Sequence, residues 1–131
     1  MVQAAPKAVF SALTRPEMVQ EWLFRTPNGV LQQAECVPVI GGRLLVSELR
    51  DGVLAAHCGE FTYLEPDRKL SFDFWVNDDE STRTSVTVLL DGASDQCLVV
   101  LVHDGLPEDA ADQAAAGWND VLDSLQIVIS R

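Results

Sequence analysis

Between Leu31 and His103 apolar and polar residues alternate with a period of two, the spacing of strands that bury one face. The alternation breaks at Gly41–Gly42, at Asp51–Gly52 and at "EPDR", "NDDES" and "DGASD", all turn chemistry. The pattern predicts six strands in an antiparallel meander, clearest in "RLLVSEL", "VLAAHCGEFTYL", "KLSFDFWV", "TSVTVLL" and "QCLVVLVH". In "KLSFDFWV" the phase puts Leu70, Phe72, Phe74 and Val76 on one face and Ser71 and Asp73 on the other, so one face of the sheet is buried and the other mostly wet.

Helical spacing flanks this region. "APKAVFSALTRPEMVQEWLF" reads as two short helices: Pro6 suits a first turn, and Val9, Phe10 and Leu13 share a face. Thr14 and Glu17 have capping-box spacing around Pro16, which starts the second helix with Met18 and Trp22 on its inner side. Asn28 and Gly29 mark a turn that tolerates positive φ. "LPEDAADQAAAGWNDVLDSLQIVIS" predicts a long closing helix with Glu108 and Asp109 in its first turn. Its stripe of Ala114, Trp118, Val121, Leu122, Leu125 and Val128 must cover the apolar face of the sheet.

With 131 residues and neither repeat nor linker, the expectation is one α+β domain spanning 1–131. Charge narrows the partners: nine Lys and Arg against twenty Asp and Glu give a net −11, which repels phosphate backbones and anionic membranes, so no nucleic acid is expected. "MVQAAPKAVF" lacks the basic start and apolar core of a secretory signal, and no apolar run is long enough for a membrane span. A cytoplasmic setting is expected, with Cys36, Cys58 and Cys97 as reduced thiols packed in strands.

Four stretches, in order, resemble a known family. "VFSALTRPEMVQEWL", "VIGGRLLV", "GEFTYLEPDRKLSFDF" and "HDGLP … AGWNDVLDSL" are similar to the characteristic segments of the activator of heat-shock-protein-90 ATPase homologue-like proteins, within the START and Bet v 1-like superfamily. The resemblance covers nearly the whole chain. It implies a helix-grip fold, a curved antiparallel sheet wrapped around a long C-terminal helix, with a cavity between them that binds apolar or amphipathic molecules. Only some relatives stimulate a chaperone ATPase. Two departures stand out. Family members begin with a full strand, whereas only "MVQAA" precedes Pro6 here, so "QCLVVLVH" is left partly as an open apolar edge. Such an edge predicts a homodimer through the last strand, or upstream sequence that pairs with it. The family often has Trp where this chain has Phe74, and Trp75 falls on the other face.

Phase selects the candidate cavity lining. Leu44 and Val46, Phe61 and Tyr63, Phe72 and Phe74, and Val86 and Val88 form the inward set, and Val99, Leu101 and His103 follow from the family pattern. Trp22 and Phe24 close one end, while Ala114, Gly117, Trp118, Val121 and Leu122 come from the helix. Gly117 has two readings: close packing of helix on sheet, or space left for a ligand beside a Trp118 wall. Glu48 shares the inward phase and is either a functional carboxylate or a sign that its strand has reached the rim. His57, also inward, is a strand histidine satisfied by a neighbour or a ligand contact, and His103 is expected to bond the turn that follows it.

No "GxSxG" elbow, "HExxH" helix or paired-histidine spacing occurs, and Gly41–Gly42 lacks phosphate-loop spacing, so no metal and no cofactor are expected. Three functional readings follow. A hydrophobic or amphipathic small molecule, lipid or aromatic metabolite, bound between helix and sheet is favoured. The alternatives are a co-chaperone with a chaperone partner, and a cyclase- or hydratase-type cavity enzyme using Glu48, His57 and Tyr63 as acid and base.

Overall fold

The computed structural model describes residues 2–77 and 79–129. Pro6 and Pro16 each occupy the first turn of a short helix, where a missing N–H is harmless: α1 (Pro6–Thr14) and α2 (Pro16–Trp22). Neither helix has a side-chain cap. Thr14 ends α1 and donates its hydroxyl to the carbonyl of Phe10 at 2.7 Å, so the expected capping box is not formed. Trp22 is buried and donates its indole N–H to the carbonyl of Ala12 at 2.9 Å, which ties the two helices together.

Six strands follow: β1 (Val30–Cys36), β2 (Arg43–Arg50), β3 (Val53–Glu65), β4 (Lys69–Val76), β5 (Thr84–Gly92) and β6 (Cys97–Asp104). They form one antiparallel sheet in the order β1-β2-β3-β4-β5-β6, the predicted meander. The closing helix, α3 (Ala111–Ile129), starts later than the sequence pattern indicates, because Glu108–Ala110 form a 3-10 turn before it.

Register fixes which side chains meet the helices. Val46 pairs with His57 and His57 with Val76; Leu44 pairs with Gly59, Gly59 with Phe74, and Phe74 with Thr84; Phe61 pairs with Phe72, Phe72 with Val86, and Val86 with His103. The predicted phase holds along these rows up to a β-bulge in β3, where Phe61 faces Phe72 but Tyr63 faces Ser71. The extra residue, Thr62, reverses the phase. Tyr63 is therefore not inward: its side chain is exposed (41%), bonded to Glu65 and capped by the Lys69 ammonium. Leu64, opposite Leu70, resumes the buried row.

The main core joins α1, α2, the inner face of the sheet and one stripe of α3, with Val9, Val19, Val46, Val86 and Leu125 sealed from solvent. On the outer face Leu45, Ala56 and Cys58 form a small cluster with Trp75, over whose ring the Arg83 guanidinium lies at 4.7 Å. All three cysteines are buried and none forms a disulfide, and burial pushes Cys36 up to about 11, which suits packing and not nucleophilic chemistry. At β6, Val2 exchanges two backbone bonds with Cys97 (2.7 and 2.9 Å). Beyond that bridge, the outward residues Leu98, Val100 and Val102 are exposed.

Candidate functional site

The segment after α2 is built around a buried carboxylate. Glu48 points inward from β2, as predicted, but it lies at no rim: it is completely buried. Its carboxylate accepts from Thr26 N (3.0 Å), Thr26 Oγ1 (2.6 Å), Arg25 Nε (3.0 Å) and Arg50 Nε (2.7 Å). Burial alone would raise its pKa, but the bonds from Thr26, Arg50 and Arg25 and the charge of Arg50 outweigh that and hold it below the usual carboxylate range. Gly29 is required here for room, because a Cβ would collide with this carboxylate; its φ is not positive.

This cluster holds Phe24 in an unusual conformation. Phe24 has φ +56°, which costs a non-glycine residue on the order of 1 kcal/mol. Arg50 donates to the Phe24 carbonyl at 3.0 Å while also gripping Glu48, and Arg25 and Thr26 follow on the same carboxylate. The ring of Phe24 is thereby laid on His57, with centroids 4.5 Å apart and planes 11° from parallel. Phe74 and Trp118 stand against it at 5.5 and 5.6 Å.

A second chain of bonds fixes Trp118. Its indole N–H can only donate, and it donates to Nδ1 of His103 at 2.8 Å. His103 is therefore neutral with its proton on Nε2, which donates to Thr84 Oγ1 at 2.6 Å, and Thr84 donates onward to the Phe74 carbonyl at 3.2 Å. His103 thus bonds the helix across the sheet instead of the turn expected from sequence. Burial lowers its pKa, against a smaller upward pull from Asp104.

Between these walls and the N-terminal half of α3 lies an open cavity of about 410 Å³. Among the predicted lining residues, Phe24, His57, Phe74, His103, Ala114, Gly117, Trp118 and Val121 line it; Val76, Thr82, Thr84, Leu106 and Gln113 do so as well. Trp22, Leu44, Phe72, Val88, Leu101 and Leu122 lie deeper, around a closed apolar void of about 20 Å³ that Trp118 and Val121 also touch. A further hollow of about 270 Å³ lies between α3 and β6, under Ala114, Trp118 and Leu122, with Leu101 on its floor. Val46, Phe61 and Val86 are solid core, and Glu48 and Tyr63 reach none of these spaces. The acid–base trio of Glu48, His57 and Tyr63 is consequently not assembled. Phe24 was legible as an end wall, whereas Thr82 and Gln113 carry no signal in the sequence.

Gly117 does not serve close packing, since a Cβ there would meet nothing within 4 Å. Gly117→Ala is expected to stabilise the protein by about 0.5–1 kcal/mol through helix propensity alone. Urea unfolding checks it, and a loss of stability would place an unseen steric demand at this position.

A family model described as activator of Hsp90 ATPase homolog 1-like protein matches residues 3–130. Among solved structures, a protein of Chromobacterium violaceum is 21% identical with a TM-score of 0.85, covering 100% of this chain and 94% of that one. An AHSA1-like protein from Aeromonas hydrophila is 22% identical with a TM-score of 0.82, covering 98% and 87%. CalU16 from Micromonospora echinospora is 26% identical with a TM-score of 0.68, covering 98% and 71%. No curated protein sequence matches. With the sheet order, the gripping helix and the family match in agreement, the chain belongs to the activator of Hsp90 ATPase homolog 1-like family.

Proposed function

We propose that the protein binds a hydrophobic or amphipathic small molecule in the cavity beneath the N-terminal half of α3. The observation that carries this reading is a preformed space of about 410 Å³ with three aromatic walls and few polar groups, the usual character of a small-molecule site. The strained Phe24 belongs to the same wall, and backbone strain of this kind gathers at functional sites.

Native mass spectrometry of the purified protein, followed by thermal-shift screening with apolar metabolites, tests the proposal. A ligand present at about 100 times its Kd stabilises by about 2.7 kcal/mol, a shift of several degrees. Gly117→Leu, which extends a side chain from the cavity lining, should abolish that shift while leaving the unliganded protein folded. No shift across the panel and no co-purified mass would remove the reading.

A protein-partner role has a separate observation behind it. Val39 and Ile40 are exposed on the β1–β2 loop, which is pinned by backbone bonds from Gly41 N to Phe61 O (2.7 Å) and Phe61 N to Gly42 O (2.9 Å). A rigid apolar tip is the kind of surface a partner such as a chaperone would cover. If that role dominates, Ile40→Asp would abolish stimulation of a chaperone ATPase and Gly117→Leu would not. The exposed edge of β6 supports self-association, and a monomer at micromolar concentration in analytical ultracentrifugation would remove that part.

A further inference from the structure

The chemistry of the cavity goes beyond its size. Among the described residues, no Lys, Arg, Asp or Glu lines it. The cations adjoining lining residues are already engaged: Arg25, next to Phe24, and Arg50, bonded to the Phe24 carbonyl, on Glu48, and Arg83, between Thr82 and Thr84, on Asp73, Glu60 and Glu80. Around the helix that covers the cavity the charges are acidic, Glu108 and Asp109 before α3 and Asp112 in its first turn, within a chain of net −11. A carboxylate entering this space would be desolvated without a counter-ion and repelled as it approached.

The polar atoms of the lining are limited in what they offer. The Trp118 N–H, both nitrogens of His103 and the Thr84 hydroxyl are spent on one another and on the Phe74 carbonyl, the Thr82 hydroxyl donates to the Asp79 carbonyl at 2.7 Å, and Gln113 is exposed on α3, where water serves its amide. His57 differs: its Nδ1 is sealed from solvent and has no partner. A proton there would be a buried N–H without an acceptor, so the lone pair occupies Nδ1 and the proton sits on Nε2. Nε2 is then the nitrogen left for a ligand, and it can only donate. Burial, reinforced by the positive charge of Arg50 and only partly opposed by Glu48, pushes the pKa of His57 down to about 4. The ring is therefore neutral at physiological pH and offers an anion no charge. Stacked flat on Phe24 at 4.5 Å, it is also held in a fixed plane.

We propose that the cavity takes an uncharged, ring-bearing molecule whose carbonyl or ether oxygen accepts a hydrogen bond from Nε2 of His57, and that it discriminates against carboxylates of the same shape. This rests on the small-molecule reading above. Rings suit the site because Phe24, Phe74 and Trp118 present a continuous aromatic wall, with centroids 5.5 to 5.7 Å apart.

The test is a matched series at neutral pH, 2-acetylnaphthalene, 2-ethylnaphthalene and 2-naphthoate, titrated against the full chain and read by tryptophan fluorescence and calorimetry. The ketone is expected to bind about fivefold more tightly than the hydrocarbon and at least about tenfold more tightly than the carboxylate. His57→Phe, which keeps a flat ring on Phe24 but has no N–H, should bind ketone and hydrocarbon equally. Naphthoate binding as well as the ketone, or ketone and hydrocarbon binding alike to the wild type, overturns this inference and leaves the cavity as an apolar binding site. Failure of all three to bind a folded protein overturns the cavity reading and this inference with it.

Discussion

Glu48→Ala is expected to destabilise the protein by about 3–5 kcal/mol, the effect of removing one partner from a buried ionic cluster. The carboxylate has no solvent exposure, and its loss leaves the Thr26 N–H and two guanidinium groups, 26% and 35% exposed, without their acceptor. Surface ion pairs contribute about 0–1 kcal/mol, so a loss below about 1 kcal/mol in urea unfolding would mean that the two arginines simply rehydrate. The change also reaches the cavity, since Arg50 bridges Glu48 to the carbonyl of Phe24 and keeps that residue at φ +56°. Near-ultraviolet circular dichroism should accordingly lose aromatic signal even where the variant remains folded. The pH dependence has a definite sign. The folded pKa of Glu48 is held below its ordinary 4.5, so its stabilisation is fully present above that value and is lost as pH falls through the folded pKa.

The division between what the sequence reveals and what it conceals follows the range of the interactions. Period-two spacing and turn residues locate six strands and their phase because both are local. Tyr63 is misplaced because the bulge at Thr62 has neither glycine nor proline to mark it. Glu48 is correctly placed on the inward phase, but two of its partners, Arg25 and Thr26, lie more than twenty residues upstream in a loop whose path no periodicity describes. Phe24 illustrates the same limit: nothing local to a Leu-Phe-Arg stretch indicates positive φ, which is imposed by contacts with β2. Gly117 was legible as an anomaly in a helix, and only the geometry separates open space from close packing.

Trp118→Ala is expected to cost about 3–5 kcal/mol as a large-to-small change in the core. Trp118 borders both the open cavity and the closed void beneath it, so its removal merges them into one space. The milder Trp118→Phe isolates the hydrogen bond. In the wild type, protonating His103 would set two donors, Nδ1–H and the indole N–H, against each other, and burial already disfavours the charged ring. Because the folded pKa lies below the ordinary 6.5, the stabilisation is complete above that value and declines as pH falls from it towards the folded pKa. Trp118→Phe removes one of the two opposing donors, so its His103 should titrate nearer 6.5 and its stability should fall less over that interval. An NMR titration of the His103 ring in both proteins measures this directly. Identical curves would show that the indole bond does not control His103, and that Trp118 holds α3 on the sheet through ring packing with Phe24 and Phe74 alone.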